Sequence, residues 1–220
     1  MGLLDLVFPR SCLGCGEPAE ELCARCRAGL VRIRPPLCER CGNPTAWPLA
    51  RCVQCAGRRV GFAVARSAVA YDETVRRLVA GWKERGLRRV AELAAEIVCE
   101  SIDRSEGTVV TFVPPDRDRT LERGHHPAER LARALAERWE LPVEALLSRP
   151  RSGPRQRGLA LAERRRNVAG AFRPREACPR KVILVDDVYT TGSTANAAAS
   201  ALRRGGTRSV SVITFARVVR

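Results

Sequence analysis

The sequence predicts an α/β domain built on a parallel sheet and preceded by a small cysteine-rich module. Eight of the ten cysteines fall in the first quarter of the chain, as four Cys-x-x-Cys pairs. Beyond them, short apolar runs alternate with amphipathic helical patterns, which is typical of a parallel-core α/β sheet. One apolar run, residues 182–185, is continuous rather than alternating, as expected for a strand buried on both faces.

The individual strands and helices follow from these patterns. Strands are expected at residues 61–70, 108–113, 142–147, 182–185 and 209–216. Helices are expected at residues 73–83, 87–102, 127–139 and 195–204. Gly86 separates the first two helices, and two consecutive prolines, Pro114 and Pro115, stop the second strand. In the helix at 127–139, Leu131 and Leu135 recur four residues apart and mark its buried face.

The paired cysteines have the spacing of zinc ligands. Two Cys-x-x-Cys pairs supply the four thiolates of one closed, structural zinc site, so four pairs imply two sites. Sequential pairing gives the ligand sets Cys12, Cys15, Cys23, Cys26 and Cys38, Cys41, Cys52, Cys55. A cross-braced pairing, first with third and second with fourth, is also compatible with the spacing. Disulfides are disfavoured because no export signal is visible, which predicts a reducing, cytoplasmic location.

The positive charge of the chain is concentrated in one segment. The formal net charge is +15, and residues 149–181 contain 11 basic and 2 acidic residues. A run of this density predicts a surface that faces a polyanion. Aromatic residues make up 5% of the chain, so nucleic-acid binding would depend on arginine contacts to the backbone more than on base stacking. No apolar stretch approaches the roughly 18 residues needed for membrane insertion.

A polar loop follows the buried strand at 182–185. Asp186 and Asp187 stand where this strand is expected to end, and a hydroxyl-rich segment around Gly192 leads into the next helix. A helix N-terminus offers unpaired N–H groups and a positive dipole end to a phosphate, and glycine allows close approach. Carboxylates accept from vicinal hydroxyls and hold Mg²⁺. A ligand with a phosphate for the helix N-terminus and a diol for the carboxylates is a ribose 5-phosphate. A P-loop ATPase is excluded because no Gly-x-x-x-x-Gly-Lys-Ser/Thr motif occurs.

Residues 182–194 resemble the signature loop of type I phosphoribosyltransferases, which bind 5-phosphoribosyl-1-pyrophosphate. Nearly the whole chain is similar to the ComF family (ComFC type), which joins an N-terminal double zinc ribbon to a phosphoribosyltransferase-like domain. The similarity extends to residues 6–9, to Tyr71 with Leu78 and Lys83, to Arg123 with Gly124, and to residues 156–172. The chain departs from the family at His125, His126 and Pro127, where Phe-Asn-Gln is usual. Two adjacent histidines near a helix start are expected to be solvated or capping.

The resemblance implies two domains and a set of site residues. Residues 1–57 would form the double zinc ribbon, and residues 58–220 the phosphoribosyltransferase-like domain, in which residues 149–172 are a basic flexible loop. Asp186 and Asp187 would bind the ribose diol and its Mg²⁺. The 5-phosphate would be held by Thr190, Thr191, Gly192, Ser193 and Thr194. Arg119 would belong to the pyrophosphate loop, while Arg123, a catalytic residue, and Arg164 would close over the pyrophosphate, which suits their planar guanidinium groups.

Three functions remain open at this point. The first is an enzyme that transfers a phosphoribosyl group to an unidentified nucleophile, mainly through positioning and electrostatic stabilisation. The second is a protein that handles single-stranded DNA with other DNA-uptake proteins, because the ComF family is linked to natural transformation. The third is a sensor that binds the sugar phosphate without turnover. The complete signature loop favours the first function, and tight binding with poor hydrolysis would distinguish the third.

Overall fold

The computed structural model describes residues 11–84, 86–115, 125–150 and 170–219. Its helices are α1 (Ala24–Ala28), α2 (Glu73–Glu84), α3 (Arg89–Ser101), α4 (Pro127–Trp139) and α5 (Ser193–Arg204). Its strands are β1 (Val64–Ala70), β2 (Val109–Phe112), β3 (Leu147–Ser148), β4 (Arg173–Pro174), β5 (Lys181–Tyr189) and β6 (Ser209–Arg217). Strands and helices alternate after the cysteine-rich module, which confirms the predicted α/β class.

The central sheet has four strands in the order β1-β6-β5-β2. Each neighbouring pair is parallel. The apolar run at residues 182–185 lies in β5 and is fully buried, as its continuous pattern predicts. The strand predicted at 142–147 does not join this sheet as a regular strand. Val143 forms an isolated bridge to Val110, and Leu147 begins the short β3, which pairs with β4.

Helices cover both faces of the sheet. Helices α2, α3 and α4 pack on one face, where Ile183 and Val185 point. Helix α5 packs on the other face, with Val182, Leu184 and the second cysteine group, which comprises Cys38, Cys41, Cys52 and Cys55. The chain therefore leaves β2 for α4 on one face and leaves the adjacent β5 for α5 on the opposite face. In open α/β sheets, the crevice between two such strands at their carboxyl ends is the usual ligand site.

The two halves of the cysteine-rich module contact different parts of the domain. The first cysteine group, which comprises Cys12, Cys15, Cys23 and Cys26, lies near α2 and α3. There Arg77 donates to the Gly14 carbonyl at 2.7 Å, and Arg27 pairs with Glu96 at 3.1 Å. The second cysteine group adjoins β1, where the Ala65 amide donates to the carbonyl of Arg40 at 2.8 Å.

Two boundaries next to the acidic pair differ from the prediction. Strand β5 was expected to end before Asp186, yet it continues to Tyr189 because β6 pairs alongside it as far as Arg217. Strand β2, in contrast, ends at Phe112, opposite Val185, so the acidic residues have a strand neighbour on one side only. Helix α5 begins at Ser193, two residues earlier than expected. Among the described residues, no helix combines the length and apolar character required to cross a membrane.

Candidate functional site

The eight paired cysteines form two groups of four thiols. Within each group, all four sulfur atoms lie within 4.8 Å of one another. The Sγ atoms of Cys15 and Cys23 are 3.8 Å apart, and those of Cys41 and Cys52 are 3.6 Å apart. Four thiolates on one tetrahedral Zn²⁺ stand about 3.8 Å apart, whereas disulfide sulfurs are about 2 Å apart. Both groups therefore fit zinc, and the ligand sets are sequential rather than cross-braced.

Backbone amides favour the thiolate form of one cysteine in each group. The Cys12 sulfur accepts from the amides of Gly14 at 3.4 Å and Cys23 at 3.3 Å, and the Cys38 sulfur accepts from the Cys52 amide at 3.3 Å. Burial alone would raise the pKa of Cys12, but these backbone hydrogen bonds lower the pKa to about 6. The same balance lowers the pKa of Cys38 to about 7. Burial raises the pKa of the Cys26 and Cys55 thiols, so these ligands would deprotonate on binding a metal, while Cys12 and Cys38 are closer to the thiolate form that zinc requires.

The acidic pair lies at the carboxyl end of β5, in the crevice beside the end of β2. Adjacent side chains of a strand point to opposite faces, so the two carboxylates diverge. Asp186 lines a small cavity on the α5 side together with Thr190, Gly192 and Thr194. Asp187 points to the other side, and its backbone amide donates to Asp186 Oδ1 at 2.9 Å. One carboxylate thus faces the hydroxyl loop, residues 190–194, while the other faces α2.

Lys83, in the last turn of α2, forms an ion pair with Asp187. Its Nζ lies 2.5 Å from Asp187 Oδ2, and the two side chains are 28% and 13% exposed. Burial, followed by the negative charge of Asp187, raises the pKa of Asp186 to about 7, although the charges of Lys83 and Arg149 act in the opposite direction. Lys83 pairs directly with Asp187 only, so when Asp186 is ionised the two adjacent carboxylates carry more negative charge than this one lysine. This excess fits a divalent cation with oxygen ligands, such as Mg²⁺.

The hydroxyl loop turns sharply into α5 at Gly192. This residue has a φ of 72°, in the left-handed region, and a β-carbon there would collide with the Tyr189 hydroxyl. The hydroxyl groups of Thr191 and Ser193 lie 2.9 Å apart, and the Asn196 amide donates to the Gly192 carbonyl at 2.8 Å. The glycine therefore allows the loop to bring its hydroxyl groups to the amide end of α5, where an anion is stabilised.

The two histidines at the start of α4 are packed rather than solvated. His125 Nε2 lies 2.7 Å from the carbonyl oxygen of Trp82. The His126 ring meets the Phe112 ring edge to face, with centroids 5.3 Å apart, and its side chain makes no capping hydrogen bond to α4. Burial lowers the pKa of His126, which favours the neutral ring. Both histidines are therefore half-buried, and His126 occupies the N-cap position of α4 without a capping hydrogen bond from its side chain, as part of the wall beside Phe112.

The remaining predicted site residues lie outside the described part of the chain. These are Arg119, Arg123 and Arg164. Arg149, at the beginning of the predicted basic loop, is described. Its guanidinium lies 5.6 Å from the centroid of the Phe172 ring, and its charge acts on Asp186.

Sequence reasoning missed the contact between Lys83 and the acidic pair. The local sequence of an amphipathic helix does not indicate which distant residue a lysine at its end will contact. It also missed Arg217, which is 0% exposed at the end of β6. The sequence does indicate that Arg217 is unusual, because it continues a strand of small and apolar residues, 209–216. A buried charge of this kind requires specific partners.

Comparison with known proteins gives relatives along most of the chain. Residues 3–57 match the family model of the double zinc ribbon domain. Competence protein F of Haemophilus influenzae is 27% identical, over 89% of this chain and 90% of the relative. The DNA utilization protein YhgH of Salmonella typhimurium is 28% identical, over 97% of this chain and the full length of the relative. The competence protein ComFC of Bacillus subtilis is 26% identical, over 91% of this chain and 86% of the relative.

Solved structures with some similarity include an amidotransferase and a phosphoribosyltransferase. The glutamine phosphoribosylpyrophosphate amidotransferase of B. subtilis has a TM-score of 0.40 at 23% identity, and the match covers 56% of this chain and 25% of the amidotransferase chain. This chain therefore spans about a quarter of the amidotransferase. The orotate phosphoribosyltransferase of Aeropyrum pernix has a TM-score of 0.35 at 21% identity, over 67% of each chain.

Proposed function

We propose that this chain, which belongs to the ComF family of competence proteins, binds 5-phosphoribosyl-1-pyrophosphate together with Mg²⁺ at the carboxyl end of β5. The observation that carries the proposal is the small cavity that Asp186 shares with the hydroxyl loop at the N-terminus of α5, with Asp187 next to it on the opposite face of β5. A phosphate-binding loop and one carboxylate then face the same cavity, and a second carboxylate lies beside it. That combination matches a sugar that bears both a phosphate and a diol.

Each group in the crevice has a distinct role in this proposal. The hydroxyl loop binds the 5-phosphate through its hydroxyl groups and the amides that open α5. Asp186, which shares the cavity with the loop, accepts from the ribose hydroxyls. Asp187 and the substrate phosphates hold Mg²⁺, which supplies charge neutralisation on the pyrophosphate. Lys83 lies beside Asp187 at 2.5 Å and exchanges this partner for a phosphate oxygen when substrate binds.

The corresponding reaction is transfer of the phosphoribosyl group. The bond between the anomeric carbon and the pyrophosphate oxygen breaks, and a bond from that carbon to an acceptor nucleophile forms. The electron pair of the broken bond leaves with pyrophosphate, whose charge is stabilised by the cationic groups of the crevice. In the proposal these include Arg149 and, by resemblance, Arg119, Arg123 and Arg164. Turnover requires an acceptor nucleophile and binding does not, so the two are tested separately.

A second function, handling of single-stranded DNA, has independent support. Relatives over most of the chain carry the names competence protein and DNA utilization protein. The 11 basic residues at 149–181 supply the charge that phosphate backbones require. In this proposal the protein acts in the cytoplasm with other DNA-uptake proteins, where a reducing environment keeps its thiols available for zinc. Binding of a labelled oligonucleotide that weakens steeply with added salt would support this function.

Calorimetric titration of 5-phosphoribosyl-1-pyrophosphate with Mg²⁺ into zinc-loaded protein tests the main proposal. Wild type should bind, and the double variant Asp186→Asn/Asp187→Asn should lose binding. Asp103→Asn serves as the control, because it removes an exposed carboxylate on the loop after α3. Absence of binding to wild type, or undiminished binding to the double variant, overturns the assignment. Pyrophosphate release measured in the presence of candidate nucleophiles then separates a transferase from a sugar-phosphate sensor.

A further inference from the structure

Arg217 is a buried cation whose partners are unusual. The residue ends β6 and is 0% exposed. Its described hydrogen bonds go to neutral acceptors, the Cys41 carbonyl at 2.6 Å and Asn43 Oδ1 at 3.0 Å. Its guanidinium also lies over the Tyr189 ring, 5.0 Å from the centroid. Burial of a guanidinium is costly, and an apolar residue would fill the same space at lower cost. The presence of an arginine here therefore has to be explained by what its contacts hold in place.

On one side, Arg217 holds the turn that carries a metal ligand. Cys41 is a member of the second cysteine group, and Asn43 follows it by two residues. The Gly42 amide donates to the Cys38 carbonyl, and the Cys38 amide donates to the Asn43 carbonyl, both at 2.8 Å. These bonds fold residues 38–43 into one tight turn around two cysteine sulfurs. The positions of both acceptors of Arg217 therefore depend on the geometry that a bound metal gives to this turn.

On its other side, Arg217 holds the ring that supports the hydroxyl loop. Tyr189 is 7% exposed, and its ring meets the Phe62 ring edge to face with centroids 6.4 Å apart. The Tyr189 hydroxyl abuts Gly192, which leaves no space for a β-carbon there. Because Gly192 sets the direction in which the loop enters α5, a movement of the Tyr189 ring would displace the loop. Arg217 thus lies between a metal-ligand turn and the loop that binds phosphate in the proposed function.

We infer that Arg217 is a positioning residue that couples metal occupancy of the second cysteine group to the phosphate-binding geometry of the hydroxyl loop. The ligand part of this inference rests on the proposed function. Coupling between sites is reciprocal, so a ligand in the loop should also stabilise metal in the second cysteine group. The first cysteine group provides an internal reference, because it is attached to α2 and α3 through Arg77 and Arg27.

Amide hydrogen exchange on the full-length, zinc-loaded protein tests the coupling without any ligand. The reporter is the first turn of α5, where the Asn196 amide donates to the Gly192 carbonyl. Arg217→Lys keeps the charge but cannot donate to two acceptors in the same geometry, so exchange in residues 189–199 should accelerate at least fivefold. Asn43→Ala should act in the same direction. Arg32→Lys is the matched control and should leave exchange in residues 189–199 at the wild-type rate, because Arg32 donates to the Ile97 carbonyl and the Ser101 hydroxyl on α3.

Two cysteine variants separate the metal sites. Cys55→Ser removes one ligand from the second cysteine group, and Cys26→Ser removes one from the first. The inference predicts faster exchange in residues 189–199 for Cys55→Ser and unchanged exchange there for Cys26→Ser. Protection of α4 reports on global folding. If Cys55→Ser loses that protection as well, the zinc-loaded Arg217→Lys and Asn43→Ala variants decide the question. Wild-type exchange rates in both of these variants overturn the inference.

A chelator assay tests whether bound ligand stabilises zinc in the second cysteine group. It also separates failure of the coupling from failure of the proposed function. Saturating 5-phosphoribosyl-1-pyrophosphate with Mg²⁺ should slow the release of one of the two zinc ions to a colorimetric chelator at least fivefold in wild type, but not in Arg217→Lys. If wild type binds no ligand by calorimetry, the proposed function fails while the exchange data still decide the coupling. If ligand binds and neither zinc release nor exchange depends on Arg217, the coupling fails and the proposed function stands.

Discussion

Replacement of Gly192 by alanine should destabilise the protein more than its backbone conformation alone explains. Gly192 has a φ of 72°, and an alanine in the left-handed region costs about 1–2 kcal/mol. The new β-carbon would also collide with the Tyr189 hydroxyl and lie 2.5 Å from the ring carbon that bears it. Tyr189 cannot easily move, because Arg217 lies over its ring and Phe62 packs against it. Overpacking of this kind costs about 1–3 kcal/mol, so the total is about 2–5 kcal/mol.

Gly170→Ala provides the matched control for this experiment. Gly170 also has a positive φ, 90°, but a β-carbon there would have no atom of the described residues within 4 Å. The control variant should therefore lose only the backbone contribution of about 1–2 kcal/mol. Urea unfolding of zinc-loaded protein, followed by circular dichroism, gives the free energy of unfolding of each variant. The difference between the two losses, about 1–3 kcal/mol, measures the contact with Tyr189.

Equal destabilisation by the two substitutions would refute this reasoning, because the Tyr189 contact would then contribute nothing. A Gly192→Ala variant within about 0.5 kcal/mol of wild type would refute it more strongly, since even the backbone cost would be missing. Calorimetry on the same samples adds a functional measurement. Gly192→Ala should weaken binding of 5-phosphoribosyl-1-pyrophosphate relative to wild type.

Three further predictions follow from the site. Lys83→Met should lower the free energy of unfolding by about 1–3 kcal/mol, because it leaves the partly buried Asp187 without its cation. Mg²⁺ should then raise the thermal midpoint of this variant more than that of wild type, and an equal rise in both would contradict the role of Asp187 as a cation ligand. Because burial raises the pKa of Asp186 to about 7, the folded state retains a proton that the unfolded chain releases near pH 4. The contribution of Asp186 to the stability of the unliganded protein should therefore fall as pH rises between about 4 and about 7, while Mg²⁺-dependent ligand affinity rises. Urea titrations across that range should show a free energy of unfolding that falls more, or rises less, in wild type than in Asp186→Asn, and calorimetry should show a steeper rise of affinity in wild type. Finally, titration with a thiol-modifying reagent should release two zinc ions per chain, which a metallochromic dye detects. Removal of zinc should lower the thermal midpoint. Release of a single ion would remove one of the two cysteine groups from the assignment.

Local sequence was sufficient to predict the cysteine groups and the loop. Cys-x-x-Cys spacing is set by the geometry of one metal knuckle, so the ligands could be identified without the fold. The choice between sequential and cross-braced sets required the sulfur positions, since both are compatible with the spacing. The hydroxyl loop was predictable because its strand, acidic pair, glycine and helix are contiguous in the chain.

The contacts that join distant segments were not predictable from these patterns. Asp186 and Asp187 are poor strand formers, so the strand was expected to end before them, and only pairing with β6 extends it to Tyr189. Lys83 reaches Asp187 because α2 ends beside the carboxyl end of β5. Arg217 donates to the Cys41 carbonyl across a separation of 176 residues. Periodicity and spacing describe single elements and cannot identify partners at such separations.

A crystal structure of zinc-loaded protein with 5-phosphoribosyl-1-pyrophosphate and Mg²⁺ would show directly whether the ligand binds at the hydroxyl loop. The 5-phosphate should lie within about 2.7–3.2 Å of the loop amides and hydroxyls at residues 190–194. The ribose hydroxyls should lie against Asp186, with a cation beside Asp187. A ligand bound elsewhere, such as in the groove lined by Arg32, Arg34 and Ser101, or an empty loop at saturating ligand, would contradict the proposal.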